Sequence, residues 1–179
     1  MNETPRTTTK VGMKYGLIYG VALIGVSLIF YLMGTNLESK VPQFLSYGVL
    51  LAVIIMGTKS YRDDDLGGYI SYGKSVGTGI VIAFFGSIIL AFYMYLFFAF
   101  IDPAMADKIL EMAEQQMMEK GLPDDQVEMA IEMQKKFITP GWMFAFTILG
   151  YTFMGLILSL VTSIFIRRNP ENPFNSNVQ

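Results

Sequence analysis

Four long apolar runs, parted by two short polar stretches and one long one, dominate the chain. They extend from about Val11 to Met33, Val41 to Thr58, Val76 to Ile101 and Gly141 to Ile166. An α-helix rises about 1.5 Å per residue, so roughly 20 apolar residues cross the roughly 30 Å hydrocarbon core of a bilayer. The pattern therefore predicts four transmembrane helices. The second run is the shortest and carries Gly48 and Gly57, yet holds no charge. Lys14 is the sole Asp, Glu, Lys or Arg within the four runs, and it lies close enough to an end for its ammonium to reach the headgroups. Arg6, Lys10 and Lys14 before an apolar run also fit the start of a signal peptide. The run is too long for one, and no small-x-small cleavage pattern follows Met33, so it reads as a retained span.

The long polar stretch, Asp102 to Thr139, changes period and predicts a helical hairpin. Asp102 suits an N-cap, Pro103 the first helical position and Asp107 the early turns. Met105, Ile109 and Met112 then recur beside Ala106, Leu110, Ala113 and Met117, which is one helical face. Gly121 reads as a left-handed cap, and Pro123, Asp124 and Asp125 as the next helix start. Val127, Ala130, Ile131 and Ile138 form a second stripe, widened by Met133 and Phe137. Two antiparallel helices are expected, with Leu110, Met112, Ile131 and Phe137 packed between them and Glu111, Glu114, Glu128, Glu132 and Lys135 on the polar faces. Pro140 and Gly141 separate the second from the last span. The expected fold class is thus all-α: one polytopic membrane domain over residues 1–179, with an extracytoplasmic two-helix hairpin inserted at 102–139.

Composition agrees with lipid as the solvent. The chain is 53% hydrophobic and 16% charged, and its 17 glycines suit close helix packing in membranes. It has neither Cys nor His, which removes disulfides, thiolate metal sites and imidazole chemistry. The net charge of −2 is unevenly placed. With the N-terminus inside, the inner pieces hold eight bases (Arg6, Lys10, Lys14, Lys59, Arg62, Lys74, Arg167, Arg168) against five acids. The outer pieces hold five bases against ten acids. Basic residues near span ends orient helices, so both termini are expected in the cytoplasm. Tyr15, Tyr69 and Tyr72 then fall at the inner boundary, and Tyr93, Tyr95 and Trp142 at the outer one.

Two segments carry a family resemblance. Gly67-Gly68-Tyr69-Ile70-Ser71-Tyr72-Gly73 before the third span, and Gly121-Leu122-Pro123-Asp124-Asp125-Gln126-Val127-Glu128 through Phe137 in the hairpin, resemble the bacterial membrane-protein family known as domain of unknown function 4199. The likeness runs from about Lys10 to Arg168, and Pro123 departs from the Ser expected as cap of the second hairpin helix. It implies a small four-span membrane protein and carries over no activity and no catalytic residue.

Several motifs invite chemistry and are better explained without it. Gly68 to Ser75 satisfies G-x-x-x-x-G-K-S, but a phosphate loop needs a strand before it and a soluble α/β domain around it. An acidic triplet precedes it here and a span follows, so it reads as an interfacial turn feeding the third span. Asp63-Asp64-Asp65 offers oxygen ligands for Mg²⁺ or Ca²⁺, yet consecutive residues rarely converge on one ion, and a solvated acidic turn is expected. The hairpin's methionines, among them Met105, Met112, Met117, Met129 and Met133, are possible Cu(I) ligands, but without His or Cys they read better as an adaptable docking surface. Gly12, Gly16 and Gly20 on the first span, and Gly155, Ser159 and Ser163 on the fourth, put small residues on one face every turn and are expected to pack helices within the bundle. Thr147, Tyr151, Thr152, Ser159, Thr162 and Ser163 could line a solute path, though such hydroxyls usually bond backbone.

These readings converge on a bacterial inner-membrane protein with no catalytic residue, no cofactor and no metal. The leading expectation is a non-enzymatic docking or accessory protein that binds a membrane or extracytoplasmic protein partner through the hairpin. Its other contacts would be the lipid bilayer and, in one alternative, further copies of itself, with no nucleic acid. The rival expectation is a small transporter or channel-like protein, which the spans support poorly because they lack buried charge.

Overall fold

A computed structural model describes residues 6–34 and 39–169. Among them the chain is all-helical, and the sole strand-like feature is an isolated antiparallel bridge between Ile70 and Arg168. The elements are α1 (Thr8–Leu32), α2 (Val41–Ser60) prolonged by a π-helical turn (Tyr61–Asp65), α3 (Tyr72–Leu96) prolonged by a second π turn (Phe97–Ile101), α4 (Met105–Glu119), α5 (Asp124–Phe137) and α6 (Pro140–Ile166). Four helices, α1, α2, α3 and α6, are long and apolar enough to cross a membrane. The chain thus has the build of a multi-pass membrane protein.

Local signals explain where the helices start and stop. The Thr7 side chain accepts from the Lys10 amide at 3.3 Å and caps α1. Ser71 does the same for α3 through the Lys74 amide at 3.4 Å, so α3 begins at Tyr72, ahead of its apolar run. Gly67 and Gly68 adopt φ of 65° and 89° to turn the chain into that cap. Gly121 ends α4 at φ 75°, where its amide donates to the Met118 carbonyl and the Leu122 amide to the Met117 carbonyl, a Schellman closure. One cap differs from expectation. Helix α4 starts at Met105 rather than at Pro103, and the Asp102 side chain, instead of capping it, bonds Tyr31 and Lys108.

Helix α3 is the centre of the bundle, packing most extensively on α6 and α1, while α2 touches all three. In lipid no hydrophobic force drives helices together, so this packing relies on close van der Waals fit. Gly12, Gly16 and Gly20 supply that fit along α1, facing Val81, Phe85 and Ile89 of α3. Gly155 of α6 lies against Ala83, and Ser159 against Gly79. Ser163 is buried near the same seam. The core joins Tyr19, Leu23, Leu50, Ile54, Ile82, Ala83 and Leu90. Several span hydroxyls are satisfied locally, as Thr78 by the Lys74 carbonyl (2.7 Å), Thr147 by Met143 (2.7 Å) and Thr162 by Leu158 (2.9 Å), whereas those of Thr58, Ser75 and Ser159 are buried with no hydrogen-bond partner among the described residues. Thr152 pairs instead with Ser87 across the α3–α6 seam at 3.3 Å.

The two ends of the bundle differ. At one end the first and last described segments are tied down. Arg6 grips Asp65 (2.8 Å) and Asp64 (3.1 Å), and Arg168 exchanges backbone hydrogen bonds with Ile70. At the other end, α4 and α5 pack on each other as a hairpin. Leu110 and Val127 are its buried residues. Phe137, expected between the hairpin helices, instead meets Trp142 and Phe146 of α6, with ring centroids 5.5 and 6.1 Å apart, so aromatic contact anchors the hairpin's exit to the last span.

Candidate functional site

A cavity of about 660 Å³ opens at the hairpin end. Its walls come from α1, α2 and α3: Leu23, Val26 and Phe30, then Pro42, then Leu90, Met94, Phe97 and Phe98. The first turns of α4 contribute Met105, Lys108 and Ile109, and α6 contributes Tyr151. Leu23 lies nine residues before the end of α1, which at the helical rise puts it about 13 Å below that end. The cavity thus reaches about 13 Å into the bundle, a depth comparable with half of a roughly 30 Å hydrocarbon core.

Polar groups cluster around the rim. Ser39, Gln43, Tyr31 and Lys108 line it there, and Ser27 and Ser46 lie farther in. Lys108 is the one ionisable Asp, Glu, Lys or Arg among the lining residues. Its ammonium donates to Asp102 at 3.0 Å, and that hydrogen bond raises the Lys108 pKa above its ordinary value. Asp102 also accepts from the Tyr31 hydroxyl at 3.4 Å. The carboxylate is buried while half of the Lys108 side chain is exposed, so the pair presents its cationic member outward. Deeper in, the Tyr151 ring meets Tyr19 and Tyr47 edge-on, at 6.4 and 6.3 Å. The Tyr19 hydroxyl is fully buried and has no hydrogen-bond partner among the described residues.

The expected docking methionines are divided by the fold. Met105 turns toward the bundle and lines the cavity, and Met112 and Met117 are partly covered. Met129 and Met133 stand on the open face of α5, 67% and 57% exposed, beside exposed Glu128 and Glu132. The expected packing residues Gly12, Gly16, Gly20, Gly155, Ser159 and Ser163 all lie on buried helix faces.

The motifs near the termini resolve into structure. The acidic triplet is solvated at Asp63 and Asp64, whose side chains are 48% and 62% exposed, and clasped at its last member. Asp65 is 6% exposed beneath Arg6, and Asp63 holds Arg62, which is itself buried and donates to the Ile166 carbonyl at 3.0 Å. The Arg6 pKa is raised, by its hydrogen bond to Asp65 against the opposing effect of burial. The phosphate-loop match lacks its strand. Gly73, Lys74 and Ser75 form the first turn of α3, and the Lys74 ammonium sits 5.4 Å over the Tyr61 ring. Sequence reasoning missed the cavity, the Tyr31–Asp102–Lys108 set and both arginine clasps. Each joins residues far apart in the chain, and the only local signal was Asp102, an acid at the edge of an apolar run.

No curated protein and no solved structure matches the chain. A family model does, over residues 14–168, and the chain belongs to that family, described as protein of unknown function DUF4199.

Proposed function

We propose that this is a non-enzymatic accessory protein of a bacterial inner membrane, with both termini in the cytoplasm and the hairpin outside, where it docks a protein partner. The distribution of basic residues supports the orientation. The observation that carries the docking is the open face of α5. Lipid accounts for exposed apolar residues on α1, α2, α3 and α6, but not for Met129 and Met133 on a helix outside the apolar spans. Exposed Asp125 and Glu132 flank them, and exposed Lys136 shares their face one turn on. Flexible thioethers flanked by carboxylates on one side suit a partner with an apolar contact and basic residues facing Glu132.

Photo-crosslinking residues placed at Met129 and Met133 should each capture one defined protein in intact cells. Capture should be lost when Glu128 and Glu132 are both changed to Lys. Capture of lipid alone, or capture that ignores the charge reversal, overturns the docking. Reporter fusions at 115–126 should read outside and fusions after Asp64 inside, and the opposite result overturns the orientation. The transporter or channel-like alternative draws on the cavity at the hairpin end. It predicts a defined homo-oligomer by native mass spectrometry after mild extraction, whereas docking predicts a second protein subunit.

A further inference from the structure

The cavity asks for an occupant independently of any hairpin partner. From its shape and lining we infer that it binds a single-chain amphiphile with an anionic headgroup, drawn from the leaflet at the hairpin end. Three features fix the chemistry. Its volume of about 660 Å³ falls within the roughly 300–1,000 Å³ range of small-molecule sites. Its walls, apart from Ser27 and Ser46, are aliphatic and aromatic through about 13 Å of depth, so they match an acyl chain lying parallel to the chains of one leaflet. The polar lining gathers at the mouth, where the headgroup of such a molecule would sit.

Lys108 sets the sign of the headgroup. Its ammonium has three donors and spends one on Asp102, leaving two for an anionic oxygen. Asp102 does not line the cavity, so an entering carboxylate or phosphate meets the cation rather than its counter-ion. Ser39 and Gln43 stand on the α2 side of the mouth and can donate to the same headgroup. A cationic amphiphile would find no carboxylate among the described lining residues, and an uncharged one would accept from the ammonium without a charge to strengthen the hydrogen bond. The volume of this cavity suits one acyl chain rather than the two of a diacyl lipid.

The test uses the full chain, purified and delipidated, with palmitate and monoacylglycerol phosphate as probes. Each should bind saturably at one molecule per chain. Uncharged monoacylglycerol should bind about ten-fold more weakly, as expected for the loss of one charge-assisted hydrogen bond. Inorganic phosphate should not compete, which separates recognition of an amphiphile from recognition of a free anion. Lys108→Gln should weaken the anionic probes about ten-fold and leave the uncharged one unchanged, while Lys108→Arg restores them. Ser27→Phe, which fills the cavity partway down, should remove binding of all three acyl probes without touching the ion pair. Absence of saturable binding by the wild type, or equal affinity in wild type, Lys108→Gln and Ser27→Phe, overturns the inference.

Discussion

Replacing Gly16 by alanine adds one methyl group where α1 and α3 approach most closely, and the structure sets its cost. The new Cβ would lie 2.7 Å from the Phe85 Cβ, 3.0 Å from the Gly86 nitrogen and 3.0 Å from the Ile82 carbonyl oxygen. Carbon pairs prefer about 3.5–4.0 Å, so the carbon contact is short by close to 1 Å. Two of the three neighbours are backbone atoms, which no rotamer change can move, so α1 must withdraw from α3 along its length. Overpacking of this kind costs about 1–3 kcal/mol. Alanine's better helix propensity works the other way by up to about 1 kcal/mol. Gly25→Ala on the same helix gains that propensity with nothing within 4 Å of its Cβ, so it isolates the steric part. Unfolding of both variants in mixed detergent micelles, followed by circular dichroism, should place Gly16→Ala below Gly25→Ala by about 1–3 kcal/mol. Equal midpoints would refute the tight α1–α3 seam and with it the role assigned to the glycine row.

Other perturbations probe the remaining features. Arg6→Ala removes the partner of a nearly buried carboxylate, and it should loosen the terminal clasp by about 1 kcal/mol, seen as faster proteolysis near Lys10; an unchanged cleavage rate would show the clasp to be idle. Tyr19→Phe deletes a buried hydroxyl without a described partner, so thermal stability should stay level or rise, and a clear loss would mean that the hydroxyl is bonded after all. Gly121→Ala places a side chain at φ 75° and should destabilise the hairpin by about 1 kcal/mol, read from hydrogen exchange at Leu122. Lys74→Ala should leave nucleotide binding undetectable, as in the parent chain, because the ammonium rests on Tyr61 with no strand-borne phosphate loop around it; micromolar binding that disappears in the variant would overturn that reading.

How far the sequence reaches depends on whether a feature is local. The presence of each span follows from apolar run length against bilayer thickness, though α2 with its π turn continues past Thr58 to Asp65, and α4 closes at Gly121 because only glycine takes that backbone conformation cheaply. The start of α4 illustrates the limit. Asp102 has the residue type and position of a cap, yet it is claimed by Tyr31, 71 residues away, and by Lys108. Asp65 likewise reads as solvated with its two exposed neighbours until Arg6, 59 residues away, folds over it.

What the sequence determined by itself was the number of spans, the hairpin between the third and fourth, the Gly121 turn within it and the small-residue rows. All of these rest on run length, backbone conformation and spacing within one element. The tertiary structure decided that α3 is the central helix, that the α1 glycines face it, and that a cavity opens beneath the first turns of α4. The physical reason is the solvent. A helix in water announces its buried side by an apolar stripe, whereas the spans here are apolar all round, and lipid rewards no face over another. Which faces meet is then settled by the fit of side chains from distant segments, and that fit exists only once the helices are together.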